Sequence, residues 1–94
     1  MAEMFRYEVP IDDQPHTLQL SGTVTPVRAV AVATRSAGWV MEFWHEHDRG
    51  LSSAPRTFQV FGTGHRLPDR PAQWQGTAAR VEGLVFHLYE LDPA

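Results

Sequence analysis

The chain contains no cysteine, no lysine and no asparagine, and Ile11 is its one isoleucine. Without cysteine there is no disulfide framework, no thiolate metal site and no thiol nucleophile. Without lysine, every one of the eight basic residues is an arginine, scattered singly from Arg6 to Arg80. A GC-rich codon bias explains that pattern more simply than an arginine-built interface does. A basic excess is also missing. The formal net charge is −3, with no basic stripe of the kind that neutralises phosphates, so nucleic acid is not an expected partner. No apolar run approaches the roughly 20 residues of a membrane span. The residues from Met1 to Tyr7 lack the basic-then-apolar order of a secretory signal. The expectation is a cytoplasmic domain with no membrane contact.

What is present is one domain's worth of chain, 94 residues. A domain of this size buries only about two-thirds of the surface its unfolded chain exposes. Association with copies of itself or with a protein partner would add to a thin stability margin.

Strand signals dominate. Phe5, Tyr7 and Val9 alternate with Arg6 and Glu8 up to Pro10, the period-2 pattern of a half-buried strand. Asp12 to Pro15 has turn chemistry, and Leu18 and Leu20 then alternate with Thr17 and Gln19. Val24–Thr34 reads as a buried strand, with Val30 and Val32 on one face and Ala29, Ala31 and Ala33 on the other. Trp39–His47 reads as a strand after the Ser36-Ala37-Gly38 turn, although a helical stripe of Val40, Phe43, Trp44 and His47 is the alternative. Arg56–Phe61 is a further strand, Arg66–Pro71 a proline-bearing loop, and Gln73–Ala79 a short strand or one helical turn. Leu84–Leu91 is apolar on both faces apart from His87 and Glu90, as expected of a central strand. Six or seven short strands make an all-β fold, a small antiparallel sandwich or barrel.

Three groups of residues bear on chemistry. His45 and His47 form an H-x-H pair that would point one way on a strand. With His65 or His87 as a third ligand they would suit zinc or iron, although packing of His45 at the core edge with His47 in solvent is the simpler reading. Gly62, Thr63, Gly64 and His65, followed by Arg66, would offer backbone N–H groups to an anion. No helix start follows them, and a bulge or tight turn accounts for the glycines. Trp39, Trp44 and Trp74 are candidate interface residues, since aromatics are enriched in binding hot spots, and core packing is their commoner role. Among nucleophile motifs, the G-x-S-x-G elbow is absent.

Four segments together resemble a family of short uncharacterised proteins of actinobacteria and their phages: Phe5-Arg6-Tyr7-Glu8-Val9-Pro10, Glu42-Phe43-Trp44, Phe61-Gly62-Thr63-Gly64-His65 and Phe86-His87-Leu88-Tyr89-Glu90. The chain departs from that pattern at Arg66, where relatives have proline, and at Phe86, where they often have tryptophan. The resemblance implies a domain with no established activity or cofactor and an origin in a phage, prophage or mobile element. It singles out His65 and His87 as positions to examine.

Three functions follow as expectations, in order. The first is a non-enzymatic binding or assembly module, forming a homo-oligomer or engaging a protein partner, with no cofactor. The second is a metal-binding β protein or enzyme using His45, His47, His65 and His87. The third is a binder of a small anionic ligand or nucleotide, lined by Gly62, Thr63, Gly64, His65, Arg66 and His87.

Overall fold

The computed structural model describes residues 2–21 and 25–92. They form seven strands: β1 (Ala2–Pro10), β2 (His16–Ser21), β3 (Ala29–Arg35), β4 (Gly38–Asp48), β5 (Ser53–Gly62), β6 (Ala72–Val81) and β7 (Leu84–Leu91). Among the described residues there is no helix, and so none long and apolar enough to cross a membrane. Trp39–His47 is strand, not helix, and so is Gln73–Ala79.

The strands make two antiparallel sheets, ordered β1-β4-β3 and β2-β5-β7-β6. The sheets pack face to face as a sandwich without closing into a barrel. Alternation supplies the inner faces. Tyr7 sits opposite Phe43 and Val9 opposite Met41 in one sheet, and Val60 sits opposite Leu88 in the other. Phe43 and Phe58 meet across the layers with ring centroids 4.8 Å apart. Around them cluster Val9, Leu20, Val27, Met41, Val60, Ala78, Phe86 and Leu88. β7 lies between two neighbours, as its apolar character on both faces demands.

One expectation is corrected. The valine and alanine run is not a strand buried on both faces. It is an edge strand beginning at Ala29, with Val30 and Val32 packed on the core and Ala29 exposed. Val24 lies outside the described residues. Close approach of the two sheets at β3 rests on a small residue of the opposite sheet, Gly76. A Cβ on Gly76 would stand 2.9 Å from both methyls of Val30. The alanines face outward, where Ala29 pairs with Trp44.

The β5-to-β6 connection shapes the end of the molecule. Both strands pair with β7 antiparallel, so they run parallel to each other and need a crossover. β5 ends at Gly62 beside Phe86, while β6 starts at Ala72 beside Leu91. Residues 63–71 therefore travel back over five β7 residues, roughly 17 Å at 3.4 Å per residue. The inner face is taken by the other sheet, so this strap crosses the outer face. Phe61 points outward by alternation yet is almost fully buried, edge-on to Tyr89 and flanked by His65 and Arg66 of the strap.

Candidate binding cleft

The strap begins with the Gly62-Thr63-Gly64-His65 run. Thr63 extends the ladder one residue beyond β5 by donating its N–H to Val85 O at 3.1 Å. The chain then reverses: Gly64 takes φ +91°, and His65 N–H donates back to Gly62 O at 3.0 Å. The His65 ring folds over Gly62, whose N–H donates to Nδ1 at 3.2 Å. Glycine leaves room for the ring in this position, because a Cβ at position 62 would lie 3.0 Å from His65 Cε1 and push it aside. With Nδ1 accepting, Nε2–H is the ring's remaining donor. Asp13 Oδ1 stands 3.5 Å from Nδ1, beyond hydrogen-bond distance, and both side chains are well exposed.

This turn and the β6–β7 turn enclose a cleft of about 440 Å³, lined by Gly62, Thr63, His65 and Gly83–Phe86. The β6–β7 turn is a tight hairpin with positive φ at Glu82 and Gly83. It presents Leu84, half-exposed, to the cleft, and the lining is mostly apolar. On the far side of His65 lies a second hollow of about 290 Å³, lined by Asp13, Gln59, Phe61, His65 and Arg66.

A directed chain of hydrogen bonds reaches the rim of the cleft. Trp74 Nε1–H donates to Thr77 Oγ1 at 2.9 Å, and Thr77 Oγ1 lies 2.9 Å from His87 Nδ1. His87 Nε2 lies 2.9 Å from Thr63 Oγ1, which lies 3.3 Å from Val85 O. Indole donates only and the carbonyl accepts only, so the chain runs from Trp74 to Val85 with His87 as the Nε2–H tautomer. Trp74, otherwise 60% exposed, is thereby tied to Thr63.

The residues expected to cradle an anion are thus together, but their geometry is inward-looking. The N–H groups of Gly62, Thr63 and His65 are all engaged within the protein. Arg66 faces the second hollow in company with the Asp13 carboxylate.

The four histidines do not converge. His45 and His47 share a face of β4, as the spacing required, but it is the inner face. His45 is fully buried, and its Nδ1–H donates to Glu46 O at 2.6 Å. Its Nε2 accepts from Arg56 Nη1 at 2.8 Å and from Thr25 Oγ1 at 3.1 Å. Thr25 O, also close to that nitrogen, is an acceptor and takes its bond from Arg56 Nη2 at 3.2 Å. His47 stacks on Phe5, ring centroids 4.2 Å apart, with Nδ1 buried and unpartnered. His65 stands at the cleft and His87 on the outer face of the four-stranded sheet. Among the described residues no group of three or more His, Asp or Glu side chains is placed to hold a metal ion.

Sequence reasoning missed the polar cluster around His45. Arg56 holds Glu90 with two bonds, Nε to Oε2 at 2.8 Å and Nη2 to Oε1 at 2.7 Å. Gln75 Nε2 donates to the same carboxylate at 3.2 Å, while its Oε1 accepts from Val27 N–H at 2.9 Å. The one signal was Glu90, a carboxylate on an otherwise apolar strand. The named groups of this cluster are bonded to one another, so it reads as a structural network at the end opposite the cleft, bordered by two shallow hollows that share Arg56 and Glu90. The tryptophans separate as well. Trp39 packs edge-on to Phe86, Trp44 lies half-buried on the outer face of the three-stranded sheet, and Trp74 is exposed.

No curated protein and no solved structure matches the chain. A family model does, over residues 1–94. The chain belongs to the family described as "Domain of unknown function (DUF7352)".

Proposed function

We propose that this domain is a non-enzymatic binding module whose cleft, between the start of the strap and the β6–β7 turn, receives an apolar side chain of a protein partner. One observation carries the reading: the wall is mostly apolar while the N–H groups of Gly62, Thr63 and His65 beside it are already engaged inside the protein. A cleft of about 440 Å³ falls within the span of ligand sites, and its uncommitted polar group is His65 Nε2–H on the rim. Leu84 in the wall and Trp74 at the far end of the hydrogen-bond chain are large apolar groups left half-exposed or more. Apolar surface outside the cleft as well as in it favours a protein partner over a small molecule.

The test is an amide-resolved NMR titration with N-acetyl-leucinamide and N-acetyl-phenylalaninamide at millimolar concentration, with inorganic phosphate as the anionic probe. The apolar probes are expected to move the amides of Thr63, Gly83, Leu84 and Phe86 saturably, and Leu84→Asp is expected to abolish the effect. Saturable shifts of Gly64, His65 and Arg66 with phosphate alone would overturn the proposal in favour of an anion site. No saturable shift with either amide would overturn it outright.

A further inference from the structure

We infer that β1 is the contact edge of a symmetric homodimer, paired antiparallel with β1 of a second copy and centred on Tyr7. This interface is separate from the cleft and does not depend on the reading given to it.

The ladder of β1 fixes which of its backbone groups are free. β1 ends the order β1-β4-β3, and its nine-residue ladder with β4 runs without a register shift from Ala2↔Asp48 to Pro10↔Val40. Ile11 continues that ladder by donating its N–H to Trp39 O at 3.0 Å. Antiparallel partners exchange both bonds at every second residue. The odd positions Glu3, Phe5, Tyr7 and Val9 therefore bond β4. The even positions Met4, Arg6 and Glu8 turn N–H and C=O to the open side. Pro10 is also even, and its missing N–H falls where a strand edge tolerates proline. A long, regular edge without bulge or lysine is a template for another strand.

The side chains choose the partner and the register. Two copies related by a two-fold axis normal to the sheet must pair a residue with itself at the centre. Centring on Arg6 or on Glu8 sets like charges opposite each other. Centring on Phe5 sets Arg6 opposite Met4, leaving no charge pair. Centring on Tyr7 sets each Arg6 opposite Glu8 of the second copy, twice over by symmetry, with Phe5 opposite Val9 on the inner face. That register also makes Arg6 and Glu8 a backbone-bonded pair, and gives Met4 N–H the carbonyl of Pro10. Opposite charges across strands favour pairing and like charges oppose it. The new ion pairs would join an existing lattice on the same face, where Arg6 meets Glu42 at 3.1 Å and Arg35 binds both Glu8 and Glu42. This self-complementarity of charge commits the edge to a second copy of the chain.

The experiment is sedimentation equilibrium on wild type, Arg6→Glu and the exchange variant Arg6→Glu/Glu8→Arg, with circular dichroism as the check on folding. Wild type is expected at twice the chain mass, Arg6→Glu at the single mass, and the exchange variant again at twice. The absence of native cysteine supplies a register test. Tyr7→Cys places the only two thiols of the dimer opposite each other in a non-hydrogen-bonded pair, within disulfide reach. Met4→Cys places them apart. Tyr7→Cys is expected to cross-link under mild oxidation and Met4→Cys not to. A monomeric wild type, an Arg6→Glu variant that stays dimeric, or cross-linking through Met4→Cys and not Tyr7→Cys would each overturn the inference.

Discussion

Arg56 carries a full charge to a place where only 10% of its side chain meets solvent, and Glu90 beside it is 19% exposed. At that depth the pair contributes less through its mutual attraction than through what its loss would leave behind. Arg56→Met removes both bonds to Glu90, the donor to His45 Nε2 and the donor to Thr25 O. The expected loss is about 3 kcal/mol, the low end of the cost of breaking a buried pair, since Glu90 keeps its Gln75 donor and some solvent, measured by urea denaturation. Arg56→Met/Glu90→Leu is expected to recover most of it. The outer pair Arg49–Glu3, 3.3 Å apart and well exposed, sets the contrast, and Arg49→Ala is expected to cost less than about 1 kcal/mol. Gly62 shows a different dependence. Gly62→Ala must displace the His65 ring, which is exposed and held there by one bond from the Gly62 N–H. The fold then loses little, while the cleft loses one wall. Apolar probe binding is expected to weaken in this variant with the denaturation midpoint nearly unchanged.

At the scale of elements, Gly76 and Val30 govern how closely the edges of the two sheets approach. Gly76→Ala forces a methyl to within 2.9 Å of Val30 and is expected to destabilise by about 1–3 kcal/mol through overpacking. Gly76→Ala/Val30→Ala is expected to relieve the clash, a non-additivity that a double-mutant cycle reads directly. The β1–β2 turn has its own lock. A hydrogen bond from His16 holds the Asp12 carboxyl below the usual carboxylate range, with a second from the Gln14 N–H. A depressed folded-state pKa adds stability that is complete above the unfolded value and is lost as pH falls through the folded one. The stability gap between wild type and Asp12→Asn is therefore expected at neutral pH and should close in acid below the ordinary carboxylate range. These elements also show what a sequence can convey. Alternation is local, so β1, β4 and β7 and their inward residues Phe5, Tyr7, Phe43, Phe86 and Leu88 were legible. The same rule put His45 and His47 on one face but could not say that the face was interior. Long-range pairing is not local, so the valine and alanine run reads as a buried strand although β3 lies at an edge. Arg56, Gln75 and Thr25 gave no sign of meeting Glu90, because polar residues on an inner face break the pattern that marks the face. The Gly62–His65 turn was legible as a turn, and the strap it begins was not, since only the parallel placement of β5 and β6 demands one.

Over the whole molecule the balance is narrow. A 94-residue chain with no disulfide leaves about a third of its unfolded surface exposed after folding, and β1 lies open along one side. Pairing that edge with a second copy links stability to concentration, because dimer forms only from folded chains. Above the dissociation constant each tenfold rise in protein adds about 1.4 kcal/mol per association, or about 0.7 kcal/mol per chain, since two chains share it. For a domain of this length 1 kcal/mol shifts the thermal midpoint by about 4–8 °C, so each decade is expected to raise Tm by about 3–6 °C. Arg6→Glu sets like charges along that edge and should show a Tm independent of concentration, whatever its absolute value. The slope of Tm against the logarithm of concentration, wild type against Arg6→Glu, separates an edge that stabilises by association from one that is merely exposed. Equal slopes in the two proteins would assign any dimer to another surface.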